Sequence, residues 1–438
     1  MFDIEWYLSG PAVVGALVVF TFIGVPVAFS MLLAGIIGLV LFVNPGFVAQ
    51  SARIFYAQGS EYTFIVVPMF VLMASLVSNS GAAGLVFKAT SRWFDRVPGS
   101  LALGSTTAAT FFSAVSGSSP ATAASVGLMA IPEMVKQGYD KRMATGAVAA
   151  GGTLGILIPP SIPLIVYGGI TETSVGQLFL AGVIPGLVIS IILLTYTWVW
   201  ALLKAEHAPA LPNVTWRDRL NSLWGVWPVV ILFLLVMGSF YTGAATISEA
   251  AAVGVLGACV VAALNRGLSW RMLRDSLVQA CTTSVMILFL IAGGAFFAFV
   301  MASLRVPQGL TDYFLGLGVS GWWLIAGYIL LLLAVGCIAE TLAAVLIFMP
   351  IVFPVFFELG FDPLWLGIIT IVAVEIGAIT PPVGLNIFVL RGILREADVT
   401  TNEIFAGCAM YVPALLLGLA VTIAFPALST WLPGIALR

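Results

Sequence analysis

Charge is what this sequence has least of. Only 8% of its 438 residues are Asp, Glu, Lys or Arg, while 61% are hydrophobic. A soluble domain carries about 25% charged residues, so this chain cannot cover a water-facing surface, and the bilayer is the solvent for most of it. A formal net charge of −2 argues against nucleic acid as a partner, because phosphates call for a basic surface. Histidine is nearly absent: His207 stands alone in a polar linker and reads as solvated. Cys259, Cys281, Cys337 and Cys408 lie singly in apolar stretches, which fits small buried hydrophobes and not a disulfide or metal set. No HExxH, Walker loop or nucleophile elbow occurs, so the sequence reads as no enzyme and an ion gradient remains the general energy source. The start, Met1 to Ser9, lacks the basic residues of a cleavable signal peptide, so the first apolar segment is expected to insert itself.

Long uncharged runs are what the chain has instead, among them 6–52, 62–87, 97–132, 143–171, 173–203, 276–304 and 404–437. A spanning helix takes about 20 apolar residues, so run 6–52 holds two, broken near Gly24-Val25-Pro26. One clearly polar linker, 204–222, divides the chain almost in half. The halves echo each other. Gly138-Tyr139-Asp140 returns as Gly360-Phe361-Asp362, and 360 − 138 = 222. Pro159-Pro160 and Pro381-Pro382, Pro132 and Pro354, and Gly155 and Gly377 keep that displacement. An internal repeat, common in secondary transporters, is expected: residues 1–203 and 223–438, joined by a cytoplasmic linker. Each half reads as about five spanning helices, one re-entrant hairpin (about 97–132 and 321–358) and one broken helix (about 143–171 and 363–390). Lys88, Arg92 and Arg96 precede the first hairpin and Lys136, Lys141 and Arg142 follow it, which puts both its ends in the cytoplasm. Linker bases Lys204, Arg217 and Arg219 and loop bases Arg266, Arg271 and Arg274 also fit that side. Glu358 and Asp362 beside the second hairpin fit the outside. An odd number of crossings per half inverts the second half and leaves both termini outside, which suits Asp3 and Glu5. Twelve simple spans are the plainer alternative, but runs such as 341–357 and 376–390 would then be unusually short.

Four segments carry chemistry. Ser113-Ala114-Val115-Ser116-Gly117-Ser118-Ser119-Pro120 interrupts the first hairpin with hydroxyls, Gly and Pro. Irregular backbone at membrane depth is tolerated only where protein or a cavity covers it. Its carbonyls and hydroxyls suit a small cation, and adjacent helix N-termini suit an anion; tight packing of small residues is the plain alternative. Gly155-Ile156-Leu157-Ile158-Pro159-Pro160-Ser161-Ile162-Pro163 must break its helix, since each interior Pro removes a hydrogen bond and clashes with the preceding turn. That break frees the carbonyls of Gly155 and Ile158. Its counterpart, Gly377 to Asn386, adds Thr380 and Asn386. The counterpart of the first tip is Gly336-Cys337-Ile338-Ala339-Glu340-Thr341. Glu340 and Glu375 are carboxylates inside apolar runs, where such groups face a cavity or a partner. Glu340 is expected in the site; for Glu375 a structural hydrogen bond is at least as fitting. Arg391 suits either a bidentate carboxylate clamp or a positive-inside anchor.

At SGSSPATAASVG (116–127), GYDKRMATGAVAAGGTLGILIPPSIPLIVYG (138–168) and GFDPLWLGIITIVAVEIGAITPPVGLNIFVLRG (360–392) the sequence resembles the large membrane subunit of TRAP transporters, the tripartite ATP-independent periplasmic systems of DctM/SiaM type. The resemblance extends over nearly the whole chain. It implies an all-α polytopic permease of the ion transporter superfamily in the bacterial inner membrane, with a scaffold and an elevator-type transport domain. Sodium is the implied coupling ion, with no cofactor. A small four-helix membrane subunit, a periplasmic substrate-binding protein and membrane lipid are the implied partners, and organic acids the implied substrates. Carried over, one sodium site uses Ser113, Ser116, Ser119, Gly155, Ile158 and Pro160, and the other Gly336, Thr341, Gly377, Thr380 and Pro382. Substrate would lie near Ser118, Ser119, Pro160, Ser161, Glu340, Pro381, Asn386 and Arg391. A stand-alone ion-coupled permease or antiporter of the same superfamily is the rival reading, and an intramembrane enzyme or assembly scaffold a more distant one.

Overall fold

A computed structural model describes residues 5–210, 214–265, 267–394 and 398–436. The expectations for Asp3, Arg266, linker residues 211–213 and the side chain of His207 lie outside the described residues. Among those described there is helix and no strand. The first half runs α1 (Trp6–Phe22), α2 (Val27–Gly38), α3 (Gln50–Ser60), α4 (Val66–Asn79), α5 (Ala82–Trp93), α6 (Ser100–Ser116), α7 (Ser119–Lys136), α8 (Lys141–Thr153), α9 (Ile162–Thr171) and α10 (Val175–Leu203). The linker contains α11 (Trp216–Ser222). The second half runs α12 (Trp227–Tyr241), α13 (Ile247–Leu264), α14 (Trp270–Ser303), α15 (Val306–Leu317), α16 (Gly321–Gly336), α17 (Thr341–Glu358), α18 (Pro363–Ala378), α19 (Leu385–Ile393), α20 (Thr401–Ala424) and α21 (Ala427–Ala436).

Among the described residues, six helices are long and apolar enough to cross a bilayer, up to seven if the pair bent by 45° at Val226 counts as one span. That is fewer than five in each half. The reason is the breaks: Trp6–Phe22, Ile162–Thr171, Gly321–Gly336 and Pro363–Ala378 are apolar but each falls short of full length. The short helices α3, α5, α15 and α21 are additional to the expected plan. The outer surface is apolar, with Phe22 71%, Leu256 69% and Leu330 67% exposed, which only lipid or a membrane partner can cover.

Local chemistry sets the ends of the hairpins. Gly138 (φ +82°) and Gly360 (φ +80°) take the left-handed conformation that lets a chain leave a helix without a Cβ clash. Two residues later an Asp caps the next helix: Asp140 Oδ1 accepts from Arg142 N at 2.7 Å, and Asp362 Oδ1 from Leu364 N at 2.8 Å. Helices α7 and α17 have 18 residues each and start and end at one displacement, 341 − 119 = 222 and 358 − 136 = 222. Both Pro-Pro bonds, at 159–160 and 381–382, are cis.

The halves interlock. Helix α8 packs on α20 and α7, and α16 on α18. Tyr167 on α9 donates to Pro363 O at 2.7 Å, Tyr196 on α10 to Met410 O at 2.6 Å, and Lys141 pairs with Asp398 at 2.9 Å. The 34-residue helix α14 lies against α2, α3, α4 and α17, placing the hairpin helix α17 beside the first spans.

Candidate functional site

Two hairpin tips and two helix breaks converge. At the first tip, α6 ends at Ser116 and α7 begins at Ser119, with Ser118 as N-cap. Ser116 Oγ donates to Ser118 O at 2.9 Å and lies 2.8 Å from Thr122 Oγ1. This tip rests on the first break: Ile162 N donates to Gly117 O at 3.4 Å, and a Cβ on Gly155 would meet Ser118 O at 2.7 Å. At the second tip, α16 ends at Gly336 and α17 begins at Thr341, with Glu340 as N-cap. A Cβ on Gly377 would stand 2.6 Å from Gly336 Cα, and Gly384 N donates to Cys337 O at 3.0 Å. Each tip therefore docks backbone to backbone on its own half's break, which only glycine at 155 and 377 permits.

A cavity of about 190 Å³ opens between the tips. Ser116, Ser118, Ser119, Glu340, Thr341 and Asn386 line it, joined by Glu375, Gln279 and Thr283. Among the described residues, no Lys, Arg or His lines it. Its polar groups form a chain across the halves. Asn386 Nδ2 donates to Ser119 Oγ at 2.7 Å, and Thr341 Oγ1 donates to Glu375 Oε1 at 2.6 Å. Ser119 also lies beside the Glu375 carboxylate.

The remaining candidates are not among the residues that line this cavity. Ser113 Oγ donates to Thr110 O at 2.7 Å, Thr380 Oγ1 to Ile376 O at 2.5 Å, and Ser161 Oγ to Ile156 O. A hydroxyl that donates to a carbonyl keeps its lone pairs for a cation. Gly155, Ile158, Pro160 and Ser161 are buried, whereas Pro381 is half-buried and Pro382 exposed, so the two breaks are unequally covered. Arg391 lies outside the cavity lining and its Nη1 donates to Val399 O at 3.2 Å. Gln279, Thr283, Ser75 and Ser78 line the cavity unannounced. They stand on α4 and α14, and no sequence pattern tells which face of a long apolar helix meets a hairpin tip.

An all-helical, multi-pass chain whose interrupted helices enclose a polar cavity defines a membrane transport protein. The chain belongs to the DctM family, since residues 14–428 match the Tripartite ATP-independent periplasmic transporter, DctM component, and it is a TRAP transporter large permease. It is 37% identical to the C4-dicarboxylate TRAP transporter large permease protein DctM of Pseudomonas aeruginosa, over 92% of this chain and 93% of that one. Identity is 34% to its namesake in Vibrio cholerae (94% of each). It is 30% to the sialic acid TRAP transporter large permease protein SiaM of the same species (94% of this chain, 95% of that one). In three dimensions it is similar to the Neisseria gonorrhoeae antimetabolite efflux pump MtrF, with a TM-score of 0.61, 12% identity and 97% of each chain covered; at that identity the likeness is one of fold. These relatives are permeases, not enzymes. The family works in general with a small membrane subunit and a periplasmic binding protein.

Proposed function

We propose that this chain is the sodium-driven permease of a three-component uptake system in the bacterial inner membrane, and that it moves an organic acid delivered by a periplasmic binding protein. The observation that carries the reading is the polar cavity between two hairpin tips, bridged by the Ser119–Asn386 bond. The named relatives transport carboxylates, which is why an organic acid is the substrate class. Substrate would meet Ser118, Ser119, Glu340 and Asn386. Sodium would be held behind each tip, by Ser113, Ser116, Ser119 and the backbone of Gly155, Ile158 and Pro160, and by Thr341, Thr380 and the backbone of Gly336, Gly377 and Pro382. Ion binding there would order the tips. The hairpins and broken helices α6–α9 and α16–α19 would then slide as one body against a scaffold of α1, α2, α12 and α13, in two halves of inverted topology. A small four-helix subunit and lipid would cover the scaffold's apolar face.

The test is uptake of labelled organic acids by proteoliposomes holding permease, small subunit and binding protein. Accumulation is expected only with an inward sodium gradient and only with the binding protein present. Sodium-independent uptake would overturn the coupling, and uptake without the binding protein would favour a stand-alone permease. Thr380→Val is expected to raise the half-saturating sodium concentration about tenfold while the protein still folds, because a valine offers a cation no oxygen.

A further inference from the structure

Glu375 and Asn386 end in oxygens that bond to nothing. Both side chains line the central cavity, and both are buried, Glu375 4% and Asn386 0% exposed. Thr341 satisfies Glu375 Oε1, but Glu375 Oε2 has no hydrogen-bond partner, and neither does Asn386 Oδ1. Buried polar atoms are nearly always partnered, and a carboxylate without a counter-charge is the costliest exception. Two such atoms, on side chains that both line one cavity and are joined through Ser119, are an acceptor set waiting for a positive charge. Among the described residues none supplies it, because no basic side chain lines the cavity.

We infer that Glu375 Oε2 and Asn386 Oδ1 hold a monovalent cation inside the cavity, with Ser119 and Thr341 hydroxyls beside it. This is a third ion position, which shares the Ser119 hydroxyl with the first helix-break set and the Thr341 hydroxyl with the second, and it rests on the sodium-coupled reading above. The donor set is all oxygen, which suits a hard cation. One carboxylate at the ion matches a single charge; Glu340, the other carboxylate on the wall, sits at the N-terminus of α17, where the helix dipole favours it. The consequence is a direct electrostatic link. A cavity with two carboxylates and no base repels an anionic substrate, and a cation on Glu375 removes part of that repulsion. Substrate binding then needs the ion because of charge and not only because of tip order.

The experiment is equilibrium binding of radioactive sodium to the purified permease with its small subunit, at constant ionic strength made up with choline chloride. Glu375→Gln keeps an acceptor for Thr341 and deletes the charge. It is expected to lower the number of bound sodium ions by about one per chain, or to weaken one site at least tenfold, while Glu375→Asp retains it. Asn386→Ala, which removes the second oxygen, provides an independent variant and is expected to weaken the same site. If the wild type binds sodium and both Glu375→Gln and Asn386→Ala bind as many ions as tightly, this site is wrong and the coupling reading stands. If the wild type binds no sodium, both fail together.

Discussion

Two glycines fix how closely each hairpin tip meets its break. A Cβ on Gly155 would sit 2.6 Å from Thr122 Oγ1 and 2.7 Å from Ser118 O, and one on Gly377 would sit 2.6 Å from two backbone atoms of Gly336. Backbone cannot swing aside as a flexible side chain does, so overpacking here costs about 1–3 kcal/mol or more. Gly155→Ala and Gly377→Ala are each expected to cut sodium-driven uptake at least tenfold, with a lowered thermal midpoint. Gly327→Ala on α16, where nothing lies within 4 Å, is the control expected to leave uptake unchanged. Both positions were visible in the sequence, because their shared displacement marked them. What the sequence hid was the reason: it marks Gly155 for a freed carbonyl and Gly377 as a sodium ligand implied by the resemblance, whereas their lack of a side chain matters for packing as well.

Gly-x-Asp and Pro-Pro are local signals that act through the backbone they belong to: Asp140 and Asp362 each cap a helix, and each Pro-Pro stands between two helices. Contacts between distant elements carry no such signal. The linker read as a polar divider, yet it is strapped to the base of the first hairpin. Gly99 N donates to Ala208 O at 2.9 Å and Tyr139 Oη to Pro209 O at 2.6 Å. In α11, Arg219 bonds Asp95, Asp95 Oδ2 also accepts from Val214 N at 3.1 Å, and the guanidinium stacks 4.9 Å over Trp216. Burial alone would push the Asp95 carboxyl up, but the Val214 and Arg219 bonds outweigh it and hold the group below its ordinary value. A depressed folded-state value means stability that is present above the unfolded carboxylate pKa of about 3.9 and lost as pH falls through the folded one. Asp95→Asn is expected to cost about 3 kcal/mol at pH 7, the scale for breaking a buried pair. In thermal melts the gap between wild type and variant should narrow as the buffer is taken below about pH 4.

Across the whole molecule, Ser119 and Asn386 tie the first half's hairpin tip to the second half's broken helix. Removing either partner should weaken the same joint, so the effects of Ser119→Ala and Asn386→Ala on unfolding should fall short of additive by about 1 kcal/mol, the net worth of one hydrogen bond. Additive losses in a double-mutant cycle would show that the joint carries no coupling. Family and fold class were readable from composition and three motifs. The cavity's polar chain was only half readable, because Glu375 takes its meaning from Thr341, Ser119 and Asn386, which its own apolar run does not reveal.

That joint also sets an order of events during synthesis. Asn386 lies 267 residues after Ser119, so the first hairpin is made and inserted long before the amide that donates to its tip exists. Until α19 emerges, Ser119 and its neighbours have no partner from the second half, and a nascent chain halted near the linker has a hairpin but no closed site. Permease activity is therefore a property that the ribosome confers late, once α19 has been made.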